Sequence, residues 1–210
     1  MQTIKIGSKG EDVKVLQGYL NLTQDGVFGN KTHEAVIAFQ KSHHLVADGV
    51  VGKNTWEALQ SGGYKKSKRR IDYIIVHCSD TPEGRNNTID DIRRWHTTPK
   101  PKGNGWKEIG YHYVVHLDGS IHVGRDVDKI GAHCEDYNAV SIGICYIGGK
   151  SADMKTYKDT RTPKQKEALL KFLKEMRKLY PTAKIVGHCD LDKHGKKCPC
   201  FDVVKEYKNI

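Results

Sequence analysis

Apolar positions in this 210-residue chain keep a helical period at first and a strand period later. Val13, Leu16 and Leu20 fall three and four residues apart, and Val36 and Phe39 repeat that step. This spacing lays an apolar stripe along one side of a helix. Between the stripes, Asp25-Gly26-Val27-Phe28-Gly29-Asn30-Lys31-Thr32 recurs as Asp48-Gly49-Val50-Val51-Gly52-Lys53-Asn54-Thr55. Each copy runs on into a helical pattern, with Glu34-Ala35 in one and Glu57-Ala58 in the other. Asp-Gly is turn chemistry, and Asn30 and Asn54 are placed to cap the helices that follow. The pattern predicts a small all-α domain over residues 1–62, three short helices joined by two matching turns. A core of that size is marginal by itself.

After residue 70 the period changes. Ile71 to His77 is an apolar run ending in a histidine. Thr88-Ile89-Asp90-Asp91 resembles a capped helix start, followed by Ile92 and Trp95 at helical spacing. Tyr111 to His116 reads as a strand, Asp118-Gly119 as a two-residue hairpin turn, and Ser120 to Val123 as the returning strand. Ser141 to Ile147 is a further strand. Thr162-Pro163-Lys164-Gln165 combines a capping box with proline at the first helical position. Leu169, Leu170, Phe172, Leu173, Met176, Leu179 and Tyr180 then form a wide apolar stripe that Pro181 ends, and Ile185-Val186 leads into His188. Alternating strands and helices over residues 71–210 predict an α/β domain with a central mixed β-sheet flanked by helices. Residues 63–70 between the two domains carry Lys65, Lys66, Lys68, Arg69 and Arg70 directly after the flexible Gly62-Gly63 pair. They read as a basic, solvated linker.

Charge sharpens this division. The net charge is +10, yet the first sixty residues hold six lysines and six acidic residues and are neutral. The excess lies in the linker and the second domain and favours an anionic partner. No aromatic pattern accompanies the basic run, as single-strand nucleic acid binding would require, so no nucleic acid partner is expected. A mean hydropathy of −0.63 and the lack of any long apolar run predict no membrane partner. The N-terminus has no apolar signal region, which points to synthesis in the cytoplasm without a visible signal peptide. The expected form is a monomer.

Candidate chemistry gathers on a few residues. His77 and His188 each end an apolar, strand-like run, and Cys198 lies in Lys197-Cys198-Pro199-Cys200. Two imidazoles and one thiolate suit zinc, and three protein ligands leave a fourth position open, as in catalytic sites. Cys200 is the rival thiolate. Cys78 and Cys189 each follow a proposed ligand; on a strand they would face the opposite side, into the core. The other cysteines are expected to be mostly free thiols. His33, His43, His44 and His194 read as surface residues, while His112, His116 and His122 are open to core, groove or surface positions. No HExxH motif is present, so a helical glutamate base of the common zinc-protease kind is not expected.

Longer segments carry a resemblance. GSKGEDVKVLQGYL, DGVFGNKTHEAVIAFQ and DGVVGKNTWEAL resemble, in order and spacing, the three-helix peptidoglycan-binding domain. IDYIIVHCS, EIGYHYVVHLDGSIHVGRD, GAHCEDYNAVSIGICYIGG and IVGHCD with KKCPCFD resemble the zinc-dependent N-acetylmuramoyl-L-alanine amidases, and more distantly the animal peptidoglycan recognition proteins. The resemblance implies one catalytic zinc held by His77, His188 and Cys198, with Tyr111 and Lys196 as catalytic residues. The stretch before Cys198 is longer here than in the phage relatives, so Lys197 stays open as the alternative lysine. His133 becomes a substrate-binding residue or, alternatively, a structural polar one, while Arg125, Asn138 and Ser141 become residues that fix loops and sheet. The implied function is that of an endolysin-like peptidoglycan hydrolase. It would cleave the amide between N-acetylmuramic acid and L-alanine of the stem peptide, with bacterial cell-wall peptidoglycan as partner. The alternative is a non-catalytic peptidoglycan-recognition protein.

Overall fold

Helical spacing in the first sixty residues becomes α1 (Glu11–Tyr19), α2 (Asn30–Ser42) and α3 (Lys53–Gln60). The computed structural model describes residues 2–20, 22–43, 45–60 and 64–210; His44 and the Gly62-Gly63 pair lie outside these described residues. Val13, Leu16, Phe28, Val36, Val51, Trp56 and Leu59 form one buried cluster with Ile4, and Leu20 and Phe39 pack against it.

The repeat is a hydrogen-bonding device as well as a pair of turns. Gln17 Nε2 donates to Asp25 Oδ1 (2.6 Å), the Val27 carbonyl (3.2 Å) and Thr32 Oγ1 (3.3 Å), while Gln17 Oε1 accepts from the Gly26 amide (2.9 Å). Twenty-three residues on, Gln40 makes the same four contacts to Asp48, Val50, Thr55 and Gly49. Both glutamines are buried, so each side chain meets its bonding capacity inside the protein. Neither asparagine caps its helix. Asn30 is already the first residue of α2, after Gly29, and Asn54 is the second residue of α3. The Asp25 and Asp48 carboxylates, accepting from the Val27 and Val50 amides (2.9 Å each), hold the turns instead.

The chain divides after Lys65. The second unit contains, in order, β1 (Tyr73–Cys78), β2 (Thr81–Pro82), α4 (Ile89–Thr97), β3 (Tyr113–Val115), β4 (Ile121–Val123), β5 (Ser141–Tyr146), β6 (Gly149–Lys150), α5 (Pro163–Leu179), β7 (Lys184–Gly187) and α6 (Val203–Glu206). The main sheet runs β4-β3-β5-β1-β7 and is mixed: β3, β5, β1 and β7 are parallel neighbours, and β4 is antiparallel to β3. β1 and β5 lie inside the sheet and are buried on both faces, as parallel strands are. In the β3–β4 hairpin the His116 amide donates to the Ser120 carbonyl (2.9 Å). The loop therefore holds three residues rather than the expected two, with Gly119 at φ 84°, the left-handed position that a three-residue hairpin reserves for glycine.

Helix starts follow their capping signals. The Thr88 amide donates to Asp91 Oδ2 (2.9 Å) at the start of α4. At α5, Thr162 Oγ1 accepts from the Gln165 amide (3.1 Å) and Gln165 Oε1 accepts from the Thr162 amide (2.9 Å). Gln165 is buried, and its Nε2 bridges the Val115 and Ile147 carbonyls, tying the helix to the ends of β3 and β5. Leu169, Phe172, Leu173 and Met176 are buried, but Leu170 is exposed, so the apolar stripe is narrower than its composition suggests.

The basic stretch is not solvated throughout. The Ser67 amide donates to the Tyr180 hydroxyl (2.6 Å) and Ser67 Oγ to the Val127 carbonyl (2.7 Å). Arg69 reaches the carbonyls of Val127 (2.9 Å), Ala139 (3.0 Å) and Ser141 (3.0 Å). A planar guanidinium with five donors can satisfy converging carbonyls, and residues 67–69 belong structurally to the second unit.

Candidate active site

Strand register brings the two histidines together. Val76 of β1 pairs with Gly187 of β7 in parallel. His77 and His188 are the next residues after that pair, and neighbouring strands lie about 4.8 Å apart in a sheet. Both are at the carboxyl ends of parallel strands, where open α/β sheets place their sites. Their ring centroids are 4.6 Å apart. Cys198 arrives on the loop after β7, with its Sγ 3.8 Å from His77 Nδ1. The ligand atoms of His77, His188 and Cys198 all lie within 4.8 Å of one another.

The cysteine loop is fastened from several directions. The Cys189 amide donates to the Cys198 carbonyl (2.7 Å), and the Cys78 amide donates to Cys198 Sγ (3.2 Å). The buried Tyr146 hydroxyl donates to the Pro199 carbonyl (2.6 Å). Behind it, Arg161, with no exposed side-chain surface, pairs with Asp159 (2.9 Å) and Glu206 (2.8 Å) and lies over the Phe201 ring.

An open groove of about 590 Å³ passes over this cluster, lined among others by His96, Trp106, Tyr111, His133, His188, Lys196, Lys197 and Cys198. The Tyr111 ring lies 5.1 Å from the His77 ring and packs on the core beside Cys145. Burial pushes its phenol well above the usual value, so Tyr111 is a neutral donor at neutral pH. Asp192 accepts from the His194 (2.7 Å) and Lys196 (3.0 Å) amides and shapes the lysine loop. Burial, then neighbouring His133, His188 and Lys196, hold the His77 imidazole well below its ordinary value. Burial and Lys196 lower His188 as well. Both rings are neutral at pH 7, as metal ligands must be.

Residues 67–201 match the family model of N-acetylmuramoyl-L-alanine amidase. The chain belongs to this amidase family. Residues 9–59 match the model of the peptidoglycan binding domain. The amidase is 37% identical over 142 residues to an endolysin of Enterobacteria phage K11, covering 67% of this chain and 88% of that one. It is 35% identical over 138 residues to an endolysin of Escherichia phage T7, covering 66% and 86%. Among solved structures, Drosophila PGRP-LB superposes with a TM-score of 0.54 at 26% identity, covering 69% of this chain and 84% of that one. The amidase is thus a peptidoglycan hydrolase of the endolysin type, cleaving the amide between N-acetylmuramic acid and L-alanine.

In the amidase, His77, His188 and Cys198 form one cluster, and Tyr111, His133 and Lys196 line the groove above it. Lys197 lines the groove too, but Lys196 is the lysine whose charge acts on His77 and His188. Cys200 is outside the cluster: its Sγ is 3.8 Å from Cys78 Sγ and 3.2 Å from the Gly149 carbonyl. Cys78 is buried as expected, but Cys189 is half-exposed, because the chain leaves β7 for a 3-10 turn at His188–Asp190 and strand alternation ends there. All six cysteines, each among the described residues, are free. His112 is a core residue, accepting from the Gly143 amide at Nδ1 (3.0 Å). His116 accepts from the Ile89 amide (2.9 Å) and stacks on His122. His194 is exposed, whereas His33 and His43 are half-buried. Sequence reasoning missed the groove residues His96 and Trp106, whose rings lie 4.7 Å apart. An aromatic residue in the polar loop just before Tyr111 was the available signal.

Proposed function

We propose that the amidase works with one zinc ion held by His77, His188 and Cys198. The observation that carries this reading is the convergence of two neutral imidazoles and one thiol within 4.8 Å at the floor of the groove. That donor set fits a catalytic zinc site with three protein ligands. The chemistry such an ion supplies is Lewis acidity toward water and the substrate carbonyl. Lys196 provides positive charge where the tetrahedral oxyanion of amide hydrolysis develops. Tyr111, kept protonated by its surroundings, donates a hydrogen bond to the reacting oxygen and takes part in proton transfer. The groove aligns the stem peptide, and Trp106 and His96 give it an aromatic wall.

The neutral residues 1–62 act as the wall-holding domain and the unit from Lys66 to Ile210 as the cutting domain. The exposed Lys66 and Lys68 of the basic run add salt-sensitive attraction to an anionic wall. Among the described residues no helix is long and apolar enough to cross a membrane, and the site of action is the cell wall.

Mass spectrometry of purified peptidoglycan digested with and without zinc chelation tests this reading. Free stem peptides with new L-alanine N-termini, released only with metal present, are the expected products. Full release from a metal-free preparation would sink the zinc mechanism, and wall binding without new termini would sink the catalytic roles.

A further inference from the structure

His133 stands against a proposed ligand, with the rest of its ring held by protein. His133 Nδ1 lies 3.1 Å from His77 Nε2, and His133 Nε2 lies 3.4 Å from the buried Ser141 Oγ. The main chain under the ring is pinned: Asn138 Oδ1 accepts from the His133 amide (2.8 Å) and the Cys134 amide (3.0 Å). The strand beneath leaves room for the ring at Gly143, where a Cβ would lie 2.6 Å from His133 Cγ. The His112 ring closes a third side at 5.5 Å. These contacts come from separate stretches of chain and fix one ring orientation.

His77 presents Nδ1 toward Cys198 Sγ and Nε2 toward His133. A ligating nitrogen carries no proton, so the proton of the neutral ring sits on the other nitrogen. With Nδ1 facing the metal cluster, His77 Nε2–H donates to His133 Nδ1. His133 then carries its own proton on Nε2 and donates to Ser141 Oγ. Metal-bound histidines generally donate their free N–H to an orienting partner, which fixes tautomer and ring angle and raises ligand basicity. That partner is commonly a carboxylate, a carbonyl or water; here an imidazole and a hydroxyl stand in line instead.

We infer that His133 is a positioning residue that acts through His77, selecting its Nδ1-ligating tautomer by way of a His77–His133–Ser141 relay, rather than a residue that grips substrate. This rests on the zinc reading above.

The test is zinc affinity of the full chain, measured by competition with a chromogenic chelator, alongside binding of an uncleaved muramyl peptide to the metal-free protein. His133→Ala should weaken zinc binding about 10- to 100-fold and leave muramyl-peptide binding unchanged. His133→Asn, whose Oδ1 falls near the position of Nδ1, should recover most of the loss. Ser141→Ala should weaken zinc binding by less than His133→Ala and keeps the relay testable if the alanine variant at 133 fails to fold. Unchanged zinc affinity with weakened muramyl-peptide binding would overturn the inference in favour of substrate contact. Equal losses in the alanine and asparagine variants would overturn it in favour of space filling. A wild-type chain that binds no zinc would remove the zinc reading itself and is read separately from the variants.

Discussion

Individual side chains in the groove divide by what holds them. Tyr111 is anchored by core packing, its hydroxyl is paired with the buried Cys145 thiol, and its ring faces that of His77. Tyr111→Phe is expected to bind zinc and fold normally while losing about 10²-fold in rate, the usual cost of one transition-state hydrogen-bond donor. Metal analysis beside a wall-clearing assay checks both halves. Lys196 and Lys197 both line the groove, and the Lys196 charge is among the largest influences that lower the His77 and His188 imidazoles. Lys196→Ala should therefore lose rate by a similar factor and Lys197→Ala should keep most of it. The reverse order, measured on the same substrate, would move the catalytic role to Lys197. Tyr111 and Lys196 were named through the family resemblance, with Lys197 left as the alternative lysine. Which lysine meets the substrate depends on how Asp192 folds the loop.

Whole elements were read most safely where a local signal coincides with a periodic one. The capping box at Thr162 and the apolar stripe behind it place α5 within a residue of its observed start. The paired Asp-Gly turns were equally plain, yet their fastening was missed. Gln17 and Gln40 lie eight residues before Asp25 and Asp48, and their role appears only when the repeat is extended backwards into the preceding helix. Each is buried and satisfies several turn groups at once. Gln40→Ala should leave the Thr55 and Asp48 side chains and the Gly49 amide short of a partner. It should cost about 1–3 kcal/mol, seen as a lower urea midpoint for the binding-domain transition. An unchanged midpoint would mean water replaces the amide freely.

At the scale of the whole molecule, the second unit buries several imidazoles, His77, His112 and His188 among them. Burial, then Arg125, pushes His96 down to about 4. Burial leads again at His112, also brought to about 4, against the opposing Lys129 carbonyl contact. Burial also holds His77 and His133 well below the ordinary value. In each case the unfolded chain binds more protons than the folded one between the folded value and the ordinary 6.5. Stability therefore rises with pH across that window. It is fully present above about pH 6.5 and is lost as pH falls toward 4. The lowered carboxylates, such as Asp25 and Asp159, start from 3.8 and act only below this range. Urea midpoints of chelated protein should fall steadily between pH 6.5 and 4.5, and His112→Gln should flatten the slope. A flat profile in the wild type would contradict the buried, neutral state of these rings.

Sequence by itself determined the two-domain order, the mixed α/β character of the larger domain, the repeated turns and the histidines that end apolar runs. Those features rest on contacts within a few residues or on a period visible along the chain. Tertiary structure alone decided which candidates meet. The Val76–Gly187 register sets His77 beside His188, and His133 reaches His77 across 56 residues of chain. The Cys78 amide finds Cys198 across 120 residues. The docking of Arg69 and the exposure of Leu170 and Cys189 were hidden for the same reason. Local pattern gives a side chain its element and face, but its partner is fixed only when strands from distant parts of the chain are set in register.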